Sequence, residues 1–382
     1  MKLVFIAHAI GIGGGPLSSS STIQYLLDTE LLKKEDCLII HDKLKEISDA
    51  NNDVYFNLKK TVKHFECTLP FSPVYKGTAT NFFSTIFNPF KGFIILLMFF
   101  FNCNKILRQE KITTVHLNSM VLWPLLLVLP KSMKLVIHIR EVPNDTIRAR
   151  IAVFVIRRYA TKIISIDPIS DLPFSDSGKS IVIINPFNMT QPRQLRSTKT
   201  SIKKKLGISE DTFIVSIFGN VSAEKGLGFF IRVVKASVEI KNLVFFIIGK
   251  PSGLHGENCV QKLDEFKNVR YFGEQADTSK YYAITDVVIR CEDYLPLGRT
   301  VWEGIFAGGV ALVPVNENDD VSVIQQYLGK YIYTYPASRV ESCIDTLKKI
   351  RELYPATVID SGYPVSDNLA ISAKQFFETI QS

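Results

Sequence analysis

The sequence CEDYLPLGRTVWEGIFAGGVALVP, residues 291–314, carries the clearest structural pattern of this chain. It joins the apolar run Asp286–Arg290 to a second one, Val310–Val315, through a turn rich in proline and glycine and a short helix. Strand, helix and strand in this order form one unit of a parallel sheet. Because the first turn of a helix leaves backbone N–H groups without helical partners, we predict a phosphate seat at the unpaired N–H groups of Gly298–Val301.

Apolar runs that alternate with helical stretches extend over the rest of the chain. Continuous runs of Val, Ile, Leu and Phe are typical of strands that a parallel sheet buries on both faces. The predicted strands form one series, Leu3–Ala7, Cys37–His41, Thr114–Leu117, Lys134–Ile139, Lys162–Ile166 and Ser180–Ile184, and a second series, Phe213–Phe218, Leu243–Ile248, Val269–Phe272, Asp286–Arg290 and Val310–Val315.

The two series predict an α/β protein with two facing, doubly wound, Rossmann-like domains. We expect an amino-terminal domain at 1–190 and a carboxy-terminal domain at 200–366, in agreement with a length of 382 residues. The break near 190–205 contains the basic run Lys203–Lys205 and indicates a surface linker. Two facing domains would place a ligand cleft at the carboxyl ends of both sheets.

The composition restricts the class of protein and its partners. Charged residues make up 21% of the chain and aromatic residues 11%, which excludes a mainly disordered protein. A formal net charge of +8 favours a polyanionic partner such as an anionic membrane surface. The six cysteines show no spacing typical of a metal site, so we expect reduced thiols in a cytoplasmic protein. The apolar start, Leu3–Ala7, is interrupted by His8 and makes a poor signal peptide.

The strongest apolar run is Phe93–Phe101, FIILLMFFF. Its nine residues are fewer than the roughly 20 that a membrane-spanning helix needs, and Met120–Pro130 is also too short. Phe93–Phe101 is therefore either a buried core helix or a helix that lies in the lipid interface, with Lys91, Lys105 and Arg108 on lipid phosphates. The positive net charge favours the second alternative.

Two further loops contain candidates for phosphate binding. The glycine loop after the first strand, which includes Gly13 and Gly14, allows the backbone to approach an anion at the start of the next helix. It lacks the G-x-G-x-x-G pattern of nicotinamide sites, and a purely structural turn is the alternative. In the second domain, Lys225 follows the strand that ends at Phe218, and a lysine there can reach a diphosphate as a point charge.

Charged and polar residues at element ends are the remaining candidates. Glu303 lies about one turn inside the short helix, where its carboxylate is placed to accept the two hydroxyls of a ribose; the alternative is a solvated helix carboxylate. In the first domain, His138, Arg140 and Glu141 follow a buried strand at its carboxyl end. We predict that these three residues face the ligand and act in catalysis, and a structural role for His138 is the alternative.

The order of these motifs resembles the nucleotide-binding half of retaining family 4 glycosyltransferases, which have the GT-B fold. The resemblance covers roughly residues 205–330 and rests on Gly219…Lys225-Gly226, residues 268–273 (NVRYFG), Asp286-Val287, and Gly298–Glu303 followed by Ala307-Gly308. It implies transfer of a sugar from a nucleotide diphosphate sugar with retention of anomeric configuration. It also implies that the last segment, residues 367–382, is a helix that crosses back to the first domain.

The donor-binding residues that we infer all follow strands or begin helices. They are Gly13, Gly14, Asn220, Lys225, Phe272, Gly298, Arg299, Thr300 and Glu303. The resemblance implies that Lys225 contacts the diphosphate, that the amides near Gly298 hold its distal phosphate, that Glu303 binds the ribose and that the strand end at Phe272 lines the base. No metal ion or other cofactor is expected, because the lysine and the helix start neutralise the leaving group.

Two positions depart from the family pattern. The family usually pairs two glutamates eight positions apart, and this chain has Leu295 at the first of these positions. Asn220 stands where the family commonly has an arginine, and Arg299 is a candidate for the missing positive charge. The contacts to the donor sugar therefore depend on residues that the family pattern does not identify.

Two functions remain open at this stage. The first is a glycosyltransferase on the cytosolic face of a membrane that adds a sugar to a saccharide or lipid-linked acceptor in surface polysaccharide biosynthesis, in contact with anionic lipid. The second, favoured by Leu295 and Asn220, is a non-catalytic GT-B relative that binds a nucleotide sugar or a partner enzyme. Nucleic-acid binding is not expected, since the sequence has no recognised motif for it.

Overall fold

The computed structural model of the chain describes residues 1–7, 14–42, 58–70, 82–186, 195–295, 297–357 and 368–382. The chain forms two compact units. The first unit consists of Met1–Phe187 together with Asn368–Ser382, and the second consists of Asn188–Asp367.

Strands and helices alternate along both units. The strands are β1 (Leu3–Ala7), β2 (Cys37–His41), β3 (Lys63–Glu66), β4 (Thr114–Leu117), β5 (Lys134–Ile139), β6 (Lys162–Ser165), β7 (Ser180–Val182), β8 (Phe213–Phe218), β9 (Leu243–Ile248), β10 (Val269–Tyr271), β11 (Val287–Ile289), β12 (Val310–Val315) and β13 (Ile332–Pro336). The α-helices are α1 (Gly14–Asp28), α2 (Phe82–Gln109), α3 (Ile147–Tyr159), α4 (Pro168–Asp171), α5 (Lys199–Lys205), α6 (Leu227–Ala236), α7 (Gly253–Gln261), α8 (Ser279–Ile284), α9 (Arg299–Phe306), α10 (Val321–Leu328), α11 (Val340–Thr357) and α12 (Asn368–Gln381).

The first unit is built on a parallel sheet with strand order β3-β2-β1-β4-β5-β6-β7. β1 lies near its centre and pairs in register with β2 and β4, so that Leu3 lies beside both Cys37 and Thr114. All five residues of β1 are buried. A strand buried on both faces needs a continuous apolar sequence, which is why LVFIA forms this strand.

Successive side chains of β1 point into two different cores. Val4 and Ile6 pack with α2, with the 3₁₀ helix Met120–Leu127 and with α3 on one face of the sheet. Leu3 and Phe5 pack with α1 and α12 on the opposite face. The sheet of the first unit therefore has a helical layer on each side.

The last helix of the chain, α12, belongs to the first unit. Ser372 Oγ donates to Ile184 O at 2.8 Å, and Lys134 Nζ donates to Thr379 O at 3.2 Å. The Phe376 ring stacks on Phe5 with the ring centroids 6.0 Å apart. These contacts bind the end of the chain to the strands that begin it.

The second unit has a parallel sheet with strand order β10-β9-β8-β11-β12-β13. Numbered within the unit, the strands follow the order 3-2-1-4-5-6, which is the Rossmann order. The first six strands of the first unit have the same order. α6 and α11 pack on one face of the sheet through Phe230 and Leu347. The predicted fold class, α/β with two Rossmann-like units, is confirmed.

The sequence prediction missed two strands, β3 and β13. Both lie at the edge of their sheets. β3 reads KHFE and has no fully buried residue, and β13 reads IYTYP and ends with a proline. These two edge strands lack the continuous apolar run on which the prediction depended, as an edge position allows because it buries fewer side chains than a central one.

The predicted surface linker near 190–205 is wrong in its second half. Lys203 lies in α5 and is buried, with its Nζ donating to Glu210 O and Thr212 O, both at 2.7 Å. Lys199, in the same helix, forms an ion pair with the buried carboxylate of Asp286. This helix therefore belongs to the second unit and buries Lys203, although Lys204 and Lys205 are exposed, while residues 187–194 lie outside the described residues.

The apolar run Phe93–Phe101 forms part of α2, and the alternative of a buried core helix is wrong. Phe99 is buried in this helix, whereas other apolar side chains project outward, with Phe101 69% exposed. Four of the exposed apolar side chains form one stripe at helical spacing, Ile94, Leu97, Met98 and Phe101, and Phe100 is exposed beside it. Among the described residues, no helix combines the length and apolar content that crossing a membrane requires.

Candidate functional site

The strand order of the second unit reverses between β8 and β11. β9 lies beside β8 and β12 beside β11, so the loops that follow β8 and β11 lead in opposite directions and leave a crevice at the carboxyl edge of the sheet. The first loop contains Asn220 and Lys225, and the second leads to Gly298 and α9. The structure thus brings the predicted phosphate-binding residues of this unit to one place.

A glycine fixes the position of Lys225. Gly226, with φ of 71°, ends the 3₁₀ turn Ala223–Lys225. A Cβ atom on Gly226 would lie 1.7 Å from Cys291 O. Only glycine at position 226 therefore allows this turn to come so close to the loop after β11. As a result Lys225 Nζ lies 3.3 Å from Glu292 Oε1.

A buried ion pair lies beside Lys225. Arg290, at the end of β11, donates from Nε to Glu292 Oε2 at 3.2 Å and from Nη2 to Oε1. Burial on its own raises the pKa of Glu292, but the charges of Arg290 and Lys225 outweigh it and hold that pKa below its usual value. The ionised carboxylate therefore contacts two cations at once.

Arg290 also contacts the first turn of α9. Its Nη1 donates to Thr300 Oγ1 at 2.9 Å, and a Cβ atom on Gly298 would lie 2.9 Å from the same Nη1. The N–H of Val301 donates to Gly298 O at 3.0 Å. The prediction of an unpaired N–H is therefore wrong at Val301, because the helix begins with a tight turn that uses this donor.

Glu303 is mostly buried, so the alternative of a solvated carboxylate is wrong. Its Oε2 accepts from Tyr282 OH at 2.7 Å, and its Oε1 forms an ion pair with Arg299. Burial, and then the charge of Glu303, raise the pKa of Tyr282 far above its usual value, which keeps the hydroxyl protonated as a donor. Arg299 is thus already paired within the helix.

The other predicted residues of the second unit lie at strand ends. The Phe272 ring follows β10 and packs against Phe246 and Tyr281, with centroid distances of 4.8 and 4.7 Å. Asn220 is exposed after β8. Arg270, in the stretch predicted to line a base, directs its guanidinium to backbone carbonyls of residues 206 and 207.

In the first unit, Arg140 and Glu141 take part in a polar network at the ends of β4 and β5. Arg140 donates from Nε to Asn118 Oδ1 at 3.0 Å and from Nη1 to Asn185 Oδ1 at 2.5 Å. Glu141 Oε1 accepts from Ser119 Oγ at 2.5 Å, and burial raises the pKa of Glu141. These contacts hold both side chains in fixed positions.

His138 is buried in the same network. Its Nδ1 lies 3.4 Å from His116 Nε2, and the ring stacks on Phe376 of α12 at 6.3 Å. Burial, and then the charge of Arg140, lower the pKa of both histidines, that of His116 to about 3, so that both rings are neutral near pH 7. Within the described part of the chain, His138 Nε2 and His116 Nδ1 have no hydrogen-bond partner.

The glycine loop contributes one described position to this network. Gly13 lies outside the described residues, and Gly14 begins α1. A Cβ atom on the next residue, Gly15, would lie 3.2 Å from Arg140 Cδ, so the start of α1 passes close to the arginine side chain. The catalytic role of His138, Arg140 and Glu141 stays a prediction.

Sequence reasoning did not identify Arg290 and Tyr282 as site residues. Arg290 carries a signal that was available, because it is a charged residue at the carboxyl end of an apolar run, as Arg140 is. Tyr282 carries none, since it lies in α8 and meets Glu303 only through the fold.

Comparison with known proteins identifies a family for part of the chain. Residues 198–350 match the model of the family described as glycosyl transferases group 1. No curated protein matches the chain in sequence. The family match lies within the second unit, which contains Lys225 and Glu303.

Solved structures resemble the chain over its whole length. The structure of Anabaena Alr3699/HepE in complex with UDP has a TM-score of 0.67 at 15% identity and covers 100% of this chain and 97% of its own. The apo form of the lipopolysaccharide outer core galactosyltransferase WaaB has a TM-score of 0.65 at 13% identity and covers 100% and 99%. Sucrose-phosphate synthase from Thermosynechococcus elongatus has a TM-score of 0.63 at 13% identity and covers 100% and 95%. The chain has the GT-B fold, and the family match of its second unit supports a glycosyltransferase.

Proposed function

We propose that the chain is a retaining glycosyltransferase that moves a hexosyl-type sugar from a nucleotide diphosphate sugar to a saccharide acceptor. The observation that carries this proposal is the site at the β8–β11 switch point. There, Lys225 is connected through Glu292 and Arg290 to the first turn of α9, and Glu303 lies about one turn further along that helix. The match of residues 198–350 to glycosyl transferases group 1 supports it.

Different groups of this site bind different parts of the donor. The ammonium of Lys225 and the N–H groups that begin α9 bind the two phosphates, and they stabilise the charge that develops as the bond between the anomeric carbon and the diphosphate oxygen breaks. Glu303 offers about four lone-pair sites, of which Arg299 and Tyr282 use two. The remaining sites accept the two ribose hydroxyls.

Retention of configuration follows from a displacement on one face of the sugar. The acceptor oxygen forms its bond to the anomeric carbon on the face that the diphosphate leaves, and the acceptor proton passes to the leaving diphosphate oxygen. No protein nucleophile takes part in this step. We assign His138, Arg140 and Glu141 to the binding of sugar hydroxyls, with His138 as a neutral hydrogen-bonding group because its pKa is held low by burial.

We also propose that transfer needs no metal ion. Lys225 and Arg290 already place two positive charges at the switch point. Within the described residues, no group of three or more His, Cys, Asp or Glu side chains is arranged to hold a metal ion. We therefore expect EDTA to leave transfer unchanged.

The acceptor that we propose is lipid-linked, at the inner face of a cell membrane, in the assembly of a surface polysaccharide. Support comes from two stripes of exposed apolar side chains, one on α2 and one on α3. The stripe on α3 contains Ile147, Ile151 and Phe154, and the first of these is 77% exposed. Neither helix contains an acidic residue, and α3 alone contains four arginines. Apolar side chains flanked by cations are typical of helices that lie on anionic lipid.

The enzymatic proposal is tested by incubating the pure protein with a panel of nucleotide sugars. We expect binding and slow hydrolysis of at least one of them, and Lys225→Ala should lower donor turnover at least a hundredfold, since it removes a charge from the leaving group. Lys235→Ala, which removes an exposed lysine at the end of α6, is the matched control and should leave turnover unchanged. Neither binding nor hydrolysis of any donor would contradict the proposal.

A non-catalytic role is the second candidate, and one observation favours it. Leu295, at the position of the family's first glutamate, is buried, and the nearby Glu292 is held by Arg290. If this role is correct, the wild type binds a nucleotide sugar without hydrolysing or transferring it, and Lys225→Ala leaves the binding of a partner enzyme intact.

A further inference from the structure

The proposed donor site lacks the arginine that the family resemblance leads us to expect, because Asn220 stands at that position. Arg299, the substitute suggested by sequence, is paired with Glu303. We propose that Arg290 is the second cation of the diphosphate site and that Glu292 is its internal counter-ion. In this arrangement Lys225 pairs with Glu292 when no donor is bound and pairs with a phosphate when the donor binds. The inference rests on the proposed function, since it concerns the same donor.

Arg290 starts from a rigid position. Its backbone N–H donates to Leu312 O at 2.9 Å, and its carbonyl accepts from the buried Tyr335 OH at 2.7 Å. From there the guanidinium extends to Thr300 Oγ1 and passes beside Gly298. Arg290 therefore lies against the first turn of α9, which is where the distal phosphate is proposed to bind.

The charges in direct contact here do not balance. Glu292 carries one negative charge, and it contacts both Arg290 and Lys225. The buried Arg290 needs a carboxylate as its counter-ion, so the surplus positive charge resides on the partly exposed Lys225 and leaves the site able to pair with one further anion. A diphosphate supplies that anion.

Lys225 is the cation that can change partner. Its side chain is 41% exposed, whereas that of Arg290 is 8% exposed. Burial, and then the positive charge of Arg290, lower the pKa of Lys225, and an arriving phosphate would relieve this repulsion. Arg290 meanwhile can exchange the neutral Thr300 hydroxyl for a phosphate oxygen, and such a charge-assisted bond is about twice as strong as a neutral one.

The test uses inorganic pyrophosphate, which has the two phosphates of every nucleotide diphosphate and no base, with binding measured by titration calorimetry. The double variant Arg290→Gln/Glu292→Gln removes both charges; glutamine has nearly the volume of Glu292, whereas it is shorter than Arg290. We expect its pyrophosphate affinity to fall at least tenfold. Arg351→Gln is the control, because Arg351 lies in α11 and donates to a backbone carbonyl, Lys241 O, at 2.7 Å. This variant should bind pyrophosphate with the affinity of the wild type.

Two further variants separate an anion-binding role from a structural one. Glu292→Gln alone frees both cations for the ligand, so pyrophosphate should bind severalfold more tightly although the protein melts at a lower temperature. A purely structural pair predicts weaker binding instead. Asn220→Arg, added to the neutral double variant, should restore at least part of the lost affinity, because it returns a cation to the end of β8.

The outcomes distinguish this inference from the proposed function. If the wild type binds pyrophosphate and the double variant does not, the inference stands even when no nucleotide sugar is turned over. If the double variant binds pyrophosphate as the wild type does, or the wild type does not bind it, the inference is wrong even when transfer is observed. If the double variant does not fold, Arg290→Lys replaces it: weaker pyrophosphate binding supports the inference, and unchanged binding overturns it.

Discussion

At the scale of single residues, the site is held together by charged side chains that pair with each other, and some of them are also held by a neutral partner. Tyr282 is the clearest example, because its hydroxyl donates to Glu303 while its ring stacks on Phe218 at 3.8 Å. Tyr282→Phe keeps the ring and removes only the hydrogen bond. We expect unfolding by urea to require about 1.5–3 kcal/mol less, as is usual for a hydrogen bond to a charged group, and donor affinity to fall because Glu303 keeps only Arg299.

Tyr281 offers a matched comparison in the same helix. Its hydroxyl donates to the neutral Gln275 Oε1 at 3.0 Å. Tyr281→Phe should therefore cost about 0.5–1.5 kcal/mol and leave donor affinity unchanged. Equal losses of stability and affinity in both variants would show that the charge of Glu303 does not matter to the site.

Gly226 tests whether the close approach of two loops positions Lys225. Gly226 and Gly178 both have left-handed backbone, with φ of 71° and 67°, but only Gly226 faces another loop. Alanine at Gly178 should cost about 1–2 kcal/mol of conformational strain. Alanine at Gly226 should cost clearly more and weaken pyrophosphate binding at least tenfold, because its Cβ would displace Cys291. Melting curves and calorimetry of the two variants measure this, and similar values for both would contradict the expectation.

The residues that sequence could identify are those with a local signal. Lys225 and the start of α9 follow apolar strands directly, so their place at the carboxyl edge could be predicted from the chain alone. Their partners could not: Glu303 meets Tyr282 across 21 positions, and Lys225 meets Glu292 across 67. Only the sheet topology brings such pairs together. For the same reason the sequence indicates Arg299 as the second cation, whereas the fold brings Arg290 to Lys225 through Glu292.

At the scale of elements, a strand could be predicted where its sequence is mainly apolar. β1, β8 and β12 lie inside their sheets and were predicted with their observed bounds. β3 and β13 lie at the edges, where side chains are partly exposed, and their sequences contain charged or polar residues that hide the strand. The surface linker predicted from the basic run of α5 is wrong for a related reason, since two backbone carbonyls accept from the buried Lys203 although composition assigns lysines to the surface.

The cap of a short helix makes stability depend on pH. Asp167 accepts from Ser170 N–H at 2.7 Å at the start of α4, and burial raises the pKa of Asp167 from 3.8 to about 6. The folded state then binds this proton more tightly than the unfolded state. Protonated Asp167 therefore stabilises the fold near pH 4, and this stabilisation is lost as the pH rises through about 6. Asp167→Asn keeps an acceptor at the cap and removes the titration.

We therefore expect the stability of Asp167→Asn relative to wild type to rise between pH 4 and pH 7, by at most about 3 kcal/mol for a shift of about two pKa units. Urea midpoints at several pH values measure it. Asp320 caps α10 and its pKa is lowered from 3.8 by bonds from Ser322, so its titration lies below pH 4. Asp320→Asn should show a flat difference over the same range, and a flat difference for Asp167→Asn would contradict the assignment.

At the scale of the whole molecule, the two units share a strand order, and the first carries exposed apolar stripes on two of its helices. In the first unit, one helical layer, made of α2 and α3, packs on the side of Val4 and Ile6, and the other, made of α1 and α12, packs on the side of Leu3 and Phe5. The exposed apolar stripes of α2 and α3 lie on the first of these layers. Positive charge accompanies the apolar side chains there, since α3 contains four arginines and neither helix contains an acidic residue.

This surface leads to a prediction about lipid binding. The wild type should float with liposomes that contain anionic lipid, bind neutral liposomes more weakly, and lose the difference at high salt, because screening weakens the attraction of exposed cations. Phe101→Ser/Phe154→Ser should lower binding at least tenfold, since burial of each ring contributes about 1.5–3 kcal/mol. Ile371→Ser changes a residue of α12 that is 46% exposed on the opposite layer, and it should bind lipid as the wild type does. Equal loss in both variants, or equal binding to neutral and anionic liposomes, would remove the membrane from the proposed function and leave the donor site in place.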